Sequence, residues 1–275
     1  MLGAIVGDII GSRFEWHNIK TKDFSLFNHK CHVTDDSIMT VAIATALLQS
    51  AGQPDSELLQ HNVVENMRQF GNACPQAGYG GRFRQWLREP AMQAYGSFGN
   101  GSAMRVSACG WVAKSLEEVK KLSYDVTCVT HNHPEGLKGA EATAVAVFMA
   151  KNGASKAEIK RYIEDEYYKL DFTLDEIRDT YTFDESCQGT VPPALEAFFE
   201  ADDYEDAIRN AISIGGDSDT LAAITGAVAE AYFGLPPYFR QKAYEYMREA
   251  DIYYSTNGLL ANNAMNFEKE YYLKV

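Results

Sequence analysis

Two stretches of this chain set oxygen-bearing side chains in a row at the mouth of an apolar helical pattern, and they lie far apart in sequence. The first is Gly215-Gly216-Asp217-Ser218-Asp219-Thr220, followed by the small, apolar residues 221–231. Its two glycines break the apolar helical pattern of 207–214 just before the next helix begins. The second is Thr34-Asp35-Asp36-Ser37, followed by 38–48, which carries no charge. Carboxylates suit the positive end of a helix dipole, and one Asp, Ser or Thr is enough for an N-cap. Capping explains one such residue, not four in succession. Adjacent carboxylates repel each other and resist burial, and neither cluster contains Lys or Arg. A hard divalent cation takes carboxylate, hydroxyl and water oxygens, so a metal is favoured over capping alone.

The rest of the chain is helical in period. Gly3, Gly7 and Gly11 recur every fourth residue and fall on one helical face, which permits very close packing against another helix. Asp8 is the lone charge there, and it is expected to cap or bond a neighbouring loop. Glu15 follows where this helix gives way. Residues 17–33 form a long loop; loops of that length are often lids. His17, His29 and His32 within it show no ligand spacing and are expected at the surface. Helices are predicted over 35–49 and 56–70, the latter with Ser56 as N-cap. Capping boxes are predicted at Ser115/Glu118, Ser155/Glu158 and Thr173/Glu176, opening helices over 116–129, 155–168 and 173–181. A small-residue helix is predicted over 138–150. Pro192 and Pro193 are expected to start a helix over 194–200, Asp203 to cap the helix ending at 214, and Pro236 and Pro237 to open one running to about residue 250. Residues 71–101 look broken by Gly, Pro and aromatics, and 262–275 are left unplaced. No run of alternating β-branched residues reaches strand length, no solenoid repeat is visible and no low-complexity linker divides the chain. The expectation is one all-α domain over 1–275 with ten or more helices.

Composition narrows the function classes. A net charge of −13 argues against a basic nucleic-acid-binding surface. Five cysteines without a CxxC argue against a disulfide framework or a zinc ribbon. There is no leader-like segment or membrane-length apolar run, and a cytoplasmic protein is expected.

Two loops add candidate ligand contacts. Gly99-Asn100-Gly101-Ser102 precedes a helix start and is expected to expose backbone N–H groups as an anion site, the plain alternative being a turn. Thr130-His131-Asn132-His133-Pro134 is a polar loop that positions substrate or holds a turn.

Taken in order, five segments resemble the ADP-ribosylglycohydrolases, including the dinitrogenase reductase-activating glycohydrolases: Gly3-x-x-x-Gly7-Asp8-x-x-Gly11 with Glu15; Thr34-Asp35-Asp36-Ser37; Gly99-Asn100-Gly101-Ser102-Ala103-Met104-Arg105; Thr130-His131-Asn132-His133-Pro134; and Gly215-Gly216-Asp217-Ser218-Asp219-Thr220. The likeness covers roughly residues 1–235. Ser37 stands where many members have a second Thr, and the 17–33 loop does not align. The resemblance implies a compact, single-domain orthogonal helical bundle with a central di-metal cleft holding two magnesium ions, manganese being possible. It implies Thr34, Asp35, Asp36, Asp217, Asp219 and Thr220 as ligands, which agrees with the hard-oxygen reading. It implies that Gly99, Asn100, Gly101 and Ser102 cradle the diphosphate and that His131 contacts ADP-ribose. Tyr79 and Phe98 are candidate aromatic contacts.

The implied reaction is hydrolysis at C1 of the distal ribose of an ADP-ribosylated protein or small ADP-ribosyl substrate, through an oxocarbenium-like transition state. Glu15 is the candidate gate or base, with Asp217 and Asp36 as further catalytic candidates. Two alternatives stay open. One is another di-metal phospho- or nucleotide hydrolase. The other is a protein that acts on an ADP-ribosyltransferase by binding, as an immunity factor would.

Overall fold

The computed structural model describes residues 1–51 and 55–272. Among them the chain forms fourteen α-helices and no strand. In order these are α1 (Leu2–Gly11), α2 (Asp35–Gln49), α3 (Ser56–Ala73), α4 (Gly81–Arg88), α5 (Ser107–Val112), α6 (Leu116–Thr127), α7 (Pro134–Lys151), α8 (Lys156–Glu166), α9 (Leu174–Ile177), α10 (Cys187–Phe199), α11 (Tyr204–Ser213), α12 (Ser218–Phe233), α13 (Pro237–Tyr253) and α14 (Leu259–Tyr271). A single 3₁₀ turn, Asn100–Ser102, precedes α5. The all-α expectation holds. No described helix is long and apolar enough to cross a membrane.

The glycine spacing sets the centre of the fold. Every residue of α1 is buried, and its glycine face lies directly on the backbone of α12. A Cβ on Gly7 would stand 2.0 Å from the Ala222 carbonyl oxygen, one on Gly3 2.3 Å from that of Gly226, and one on Gly11 2.5 Å from Asp219 Cα. No side chain larger than hydrogen fits between these two helices. The crossing runs from Gly3 at one end to Asp219 at the other, so it also fixes where the mouth of α12 lies relative to α1.

Several helix boundaries differ from the sequence expectation for local reasons. α3 is capped by Asp55, which accepts from the N–H groups of Glu57 (2.9 Å) and Leu58 (3.4 Å); Ser56 instead donates to Asp125 at 2.8 Å. Capping boxes form at Ser155/Glu158 and Thr173/Glu176. At Ser115 only half of one forms, because Glu118 accepts from the Lys114 N–H at 2.7 Å. α4 arises inside the stretch that reads as broken and buries Phe83, Trp86 and Leu87. α14 occupies most of the unplaced end; residues 273–275 of that segment lie outside the described residues.

α10 begins at Cys187 with Ser186 as its cap, and Pro192 and Pro193 lie inside it. Proline favours a helix start because its missing N–H is not needed there, which is why the prolines read as an opening. Within a helix the N–H of residue 193 would bond the carbonyl of residue 189. Here the Tyr181 hydroxyl donates to the Gly189 oxygen at 3.0 Å instead, so the group freed by Pro193 is satisfied from outside.

The 17–33 loop has no regular element, but it is fastened down. Arg209 donates to the carbonyls of Lys22 and Phe24, both at 2.8 Å. Lys20 donates to the carbonyls of Tyr181 (2.7 Å) and Ile214 (2.6 Å). His17, His29 and His32 are exposed, as expected.

Candidate functional site

The mouths of α2 and α12 meet. Thr34 caps α2 and accepts from the Asp36 N–H at 3.2 Å. Asp217 stands at the N-cap of α12, and the turn ahead of it is carried by Gly215 and Gly216, both with positive φ (69° and 78°). That left-handed conformation favours glycine. Across the junction the Thr220 hydroxyl donates to Asp36 Oδ2 at 3.3 Å.

Asp8 joins them from α1. It accepts from Thr34 N (3.1 Å), Thr34 Oγ1 (2.7 Å) and Ser37 N (3.1 Å), and from the Ser37 hydroxyl. It therefore caps α2 from a neighbouring helix, as expected of it. It also does something the sequence reading does not contain. Oxygens of Asp8, Asp36 and Asp219 lie within 4.8 Å of one another, and so do oxygens of Glu15, Asp217 and Asp219. Asp219 belongs to both groups. Asp35, expected among the ligands, lines the same cleft but belongs to neither.

No Lys or Arg forms an ion pair with any of these six carboxylates among the described residues. Burial is the first cause pushing all six upward: Asp35 to about 8, Glu15 to about 7, and Asp8, Asp36, Asp217 and Asp219 above the usual carboxylate range. Repulsion between neighbours adds to this at Glu15, Asp35, Asp36 and Asp219. Hydrogen bonds from Ser37 and Thr34 pull Asp8 back, as the bond from Asn100 does for Asp217. Two buried oxygens, Asp36 Oδ1 and Asp219 Oδ1, meet no donor among the described residues. A buried carboxylate oxygen left this way is costly, and a hard cation is the partner that fits an all-oxygen set.

Glu15, Asp35, Asp36, Asp217 and Asp219 line a cleft of about 680 Å³, whereas Asp8 is fully buried and does not. Gly99, Asn100, Gly101, Phe98 and His131 line it, and Ser102 and Tyr79 do not. The Ser102 hydroxyl points inward, donating to the Gly136 carbonyl at 2.9 Å. Tyr79 is buried against Phe83, with ring centroids 5.8 Å apart. The 99–102 loop also fails to present a row of free N–H groups. Gly99 N–H is bonded to Ser97 Oγ, Asn100 N–H to the Glu185 carbonyl and Ser102 N–H to the Gly99 carbonyl, which leaves Gly101 N–H. The Asn100 side chain is committed too, donating to Asp217 Oδ2 at 2.6 Å and Thr190 Oγ1 at 3.0 Å. His133 caps α7 through Nδ1, which accepts from Glu135 N–H at 3.1 Å.

Sequence reading missed the rim. Trp16 and Phe183 stack with centroids 5.2 Å apart and planes 19° from parallel, although they are 73% and 40% exposed. They sit at the cleft mouth with Glu15, Asp184 and Glu185. Two exposed aromatics more than 150 residues apart carry no periodic signal that would pair them.

The chain is similar to known proteins along most of its length. The chain is 26% identical to human ADP-ribosylhydrolase ARH3, over 92% of this chain and 90% of that one. It is 26% identical to the ADP-ribosylarginine hydrolase Tri1 of Pseudomonas putida, over 88% and 72%. A solved structure described as an ADP-ribosylglycohydrolase-related protein complex matches with a TM-score of 0.63 at 21% identity, covering 95% of this chain and 96% of that one, which shows the fold. The sequence profile of the ADP-ribosylglycohydrolase family matches residues 1–266. A match over nearly the whole chain establishes kinship: the chain belongs to the ADP-ribosylglycohydrolase family, hydrolases that cleave the glycosidic bond of an ADP-ribosyl group.

Proposed function

We propose that this protein removes ADP-ribose from a modified protein side chain by hydrolysis at C1 of the distal ribose, in a divalent-cation-dependent reaction. The observation that carries this is the pair of carboxylate groups that share Asp219, a residue lining the cleft. Thr34, Asp35, Asp36, Asp217, Asp219 and Thr220, with Asp8 beside them, would hold the cations, magnesium first and manganese second. Bound there, such cations supply Lewis acidity, orient the ribose hydroxyls and lower the pKa of water.

The chain's own residues do the rest. Glu15 stands beside Asp217 and Asp219 at the cleft mouth, where its carboxylate can take a proton from attacking water. Asn100 holds one oxygen of Asp217, which fixes the direction of the other. The concentration of negative charge favours a sugar ring that becomes cationic as the bond breaks. Gly101 N–H and His131 face the anionic part of the substrate.

Among linkages, the rim favours a cationic leaving side chain. A stacked, exposed Trp–Phe pair attracts a guanidinium through its ring faces, and Asp184 and Glu185 line the cleft beside it. This supports ADP-ribosyl-arginine over ADP-ribosyl-serine. An ADP-ribosyltransferase is the class of enzyme that would supply such a substrate.

Incubation with ADP-ribosyl-arginine and ADP-ribosyl-serine peptides, with magnesium and with chelator, tests the reading. Free ADP-ribose released only with the cation, and faster from arginine, is expected. Release of inorganic phosphate instead would assign the site to a phosphohydrolase.

A further inference from the structure

We propose that Arg105 is a positioning residue which, through Thr130, fixes His131 as a neutral imidazole with its proton on Nε2, making that nitrogen a permanent uncharged donor to the phosphates of the ADP-ribosyl group. This inference rests on reading the cleft as the ADP-ribosyl site.

The direction of each hydrogen bond follows from what each group has to give. A guanidinium only donates. Arg105 is 1% exposed, and its Nη2 donates to Thr130 Oγ1 at 2.8 Å. With that oxygen already accepting, the Thr130 hydroxyl proton is free to point to His131 Nδ1, 2.8 Å away. Arg105 Nη2 itself approaches the same Nδ1 at 3.4 Å. A ring nitrogen faced by two donors must be the acceptor, and in a neutral imidazole the other nitrogen then carries the proton. Nε2 faces the ligand loop: a Cβ on Gly101 would lie 3.4 Å from it and one on Gly99 3.7 Å.

The surroundings keep the ring neutral. His131 is 4% exposed, and burial, with the Arg105 charge behind it, holds its pKa well below the ordinary value. The titratable groups facing this pair are few. Tyr95, whose ring centroid is 6.2 Å from that of His131, is pushed up by burial and stays a phenol. Cys187 is pushed up to about 12 by burial and stays a thiol. Asp35 faces Arg105 from the mouth of α2. Arg105 is lowered to about 10 by burial and keeps its charge at neutral pH.

The device matters because the 99–102 loop has only the Gly101 N–H left to offer. A His131 proton placed on Nδ1 would turn a lone pair toward the phosphates, and the site would repel what it must bind.

The test uses the full chain and two readouts. Ring ¹⁵N shifts of His131, assigned with His131→Gln, report tautomer and titration without any ligand. The expected result is Nε2–H with no titration from about pH 5 to about pH 8, the window in which an ordinary imidazole changes charge. Calorimetry with ADP-ribose in magnesium gives affinity. Thr130→Val, nearly isosteric, removes the donor to Nδ1; it is expected to mix the tautomers and weaken ADP-ribose binding about tenfold, the scale of one good hydrogen bond. Arg105→Met should do the same. His131→Gln, which keeps an N–H donor at the Nε2 position, should retain more affinity than His131→Asn. A wild-type ring that titrates in that window or carries its proton on Nδ1 overturns the proposal, as does Thr130→Val binding ADP-ribose like wild type. A ring found as Nε2–H in a wild-type protein that does not bind ADP-ribose would keep the tautomer and overturn the reading of the cleft.

Discussion

Asn18 grips both backbone groups of Gly216: its Oδ1 accepts the Gly216 N–H at 2.8 Å, and its Nδ2 donates to the Gly216 carbonyl at 2.8 Å. The same Nδ2 reaches the carbonyls of Phe14 (2.7 Å) and Glu15 (3.0 Å). One amide therefore ties the Glu15 segment to the glycine turn that aims Asp217. Asn18→Ala removes this tie at an exposed position. We expect kcat to fall about tenfold or more, the equivalent of one to two net hydrogen bonds in the transition state, with little change in Tm. Steady-state kinetics beside a melting curve checks it; unchanged turnover would show that Glu15 needs no such anchor.

The contact between α1 and α12 predicts a sharp contrast between glycines. Gly7→Ala would push a methyl into the Ala222 carbonyl at 2.0 Å. Overpacking typically costs about 1–3 kcal/mol, and a rigid backbone partner places this site at or beyond the upper end. For a chain of this size that lowers Tm by about 10 °C or prevents folding. Gly81→Ala, at the first position of α4 where a Cβ meets nothing within 4 Å, should leave Tm unchanged or slightly raised. Thermal melts of the two variants decide the matter.

The carboxylate cluster predicts how stability depends on pH and on metal. Its groups have folded-state pKa values raised by burial, to about 7 for Glu15 and about 8 for Asp35. The metal-free folded chain thus holds protons that the unfolded chain has already released, and stability falls as pH rises through that window. A divalent cation competes with those protons and reverses the slope. The Tm gain on adding magnesium should be larger at about pH 8 than at about pH 6, with protons released on binding. A metal-free Tm that rises through this range would refute the assignment.

Asp219 belongs to both carboxylate groups and Asp35 to neither. Asp219→Asn should therefore abolish magnesium binding and lower kcat about a hundredfold or more, a scale typical of losing a preorganised electrostatic group. Asp35→Asn should weaken binding less. Both variants should stay folded, since Asn keeps the shape of the neutral carboxyl group that burial favours in the metal-free chain. Calorimetric titration with magnesium ranks them, and an Asp219→Asn variant that binds magnesium like wild type would place the cation elsewhere.

What could be read from the sequence was local or periodic. Three glycines four apart announced a backbone-to-backbone helix contact, and Asp, Ser and Thr before apolar runs announced helix mouths crowded with acid. Even the pairing of the two mouths could be argued, because unpartnered carboxylates demand a common counter-charge. Helix starts were legible where the cap lay within three residues, as at Ser155 and Thr173.

Tertiary structure alone decided the rest, because each remaining question turns on a partner far along the chain. At Pro193, within α10, the Tyr181 hydroxyl replaces the lost N–H donor to the Gly189 carbonyl. Asn100 spends its side chain on Asp217 and Ser102 turns inward to Gly136, so the loop that looked like a phosphate cradle keeps few donors of its own. Asp8 reads as a lone charge in an apolar helix until α1 lies against α2 and α12. A sequence states which groups carry oxygen, charge or a free N–H; only the packed chain states which of them are already satisfied, and the unsatisfied ones are where the chemistry is left to happen.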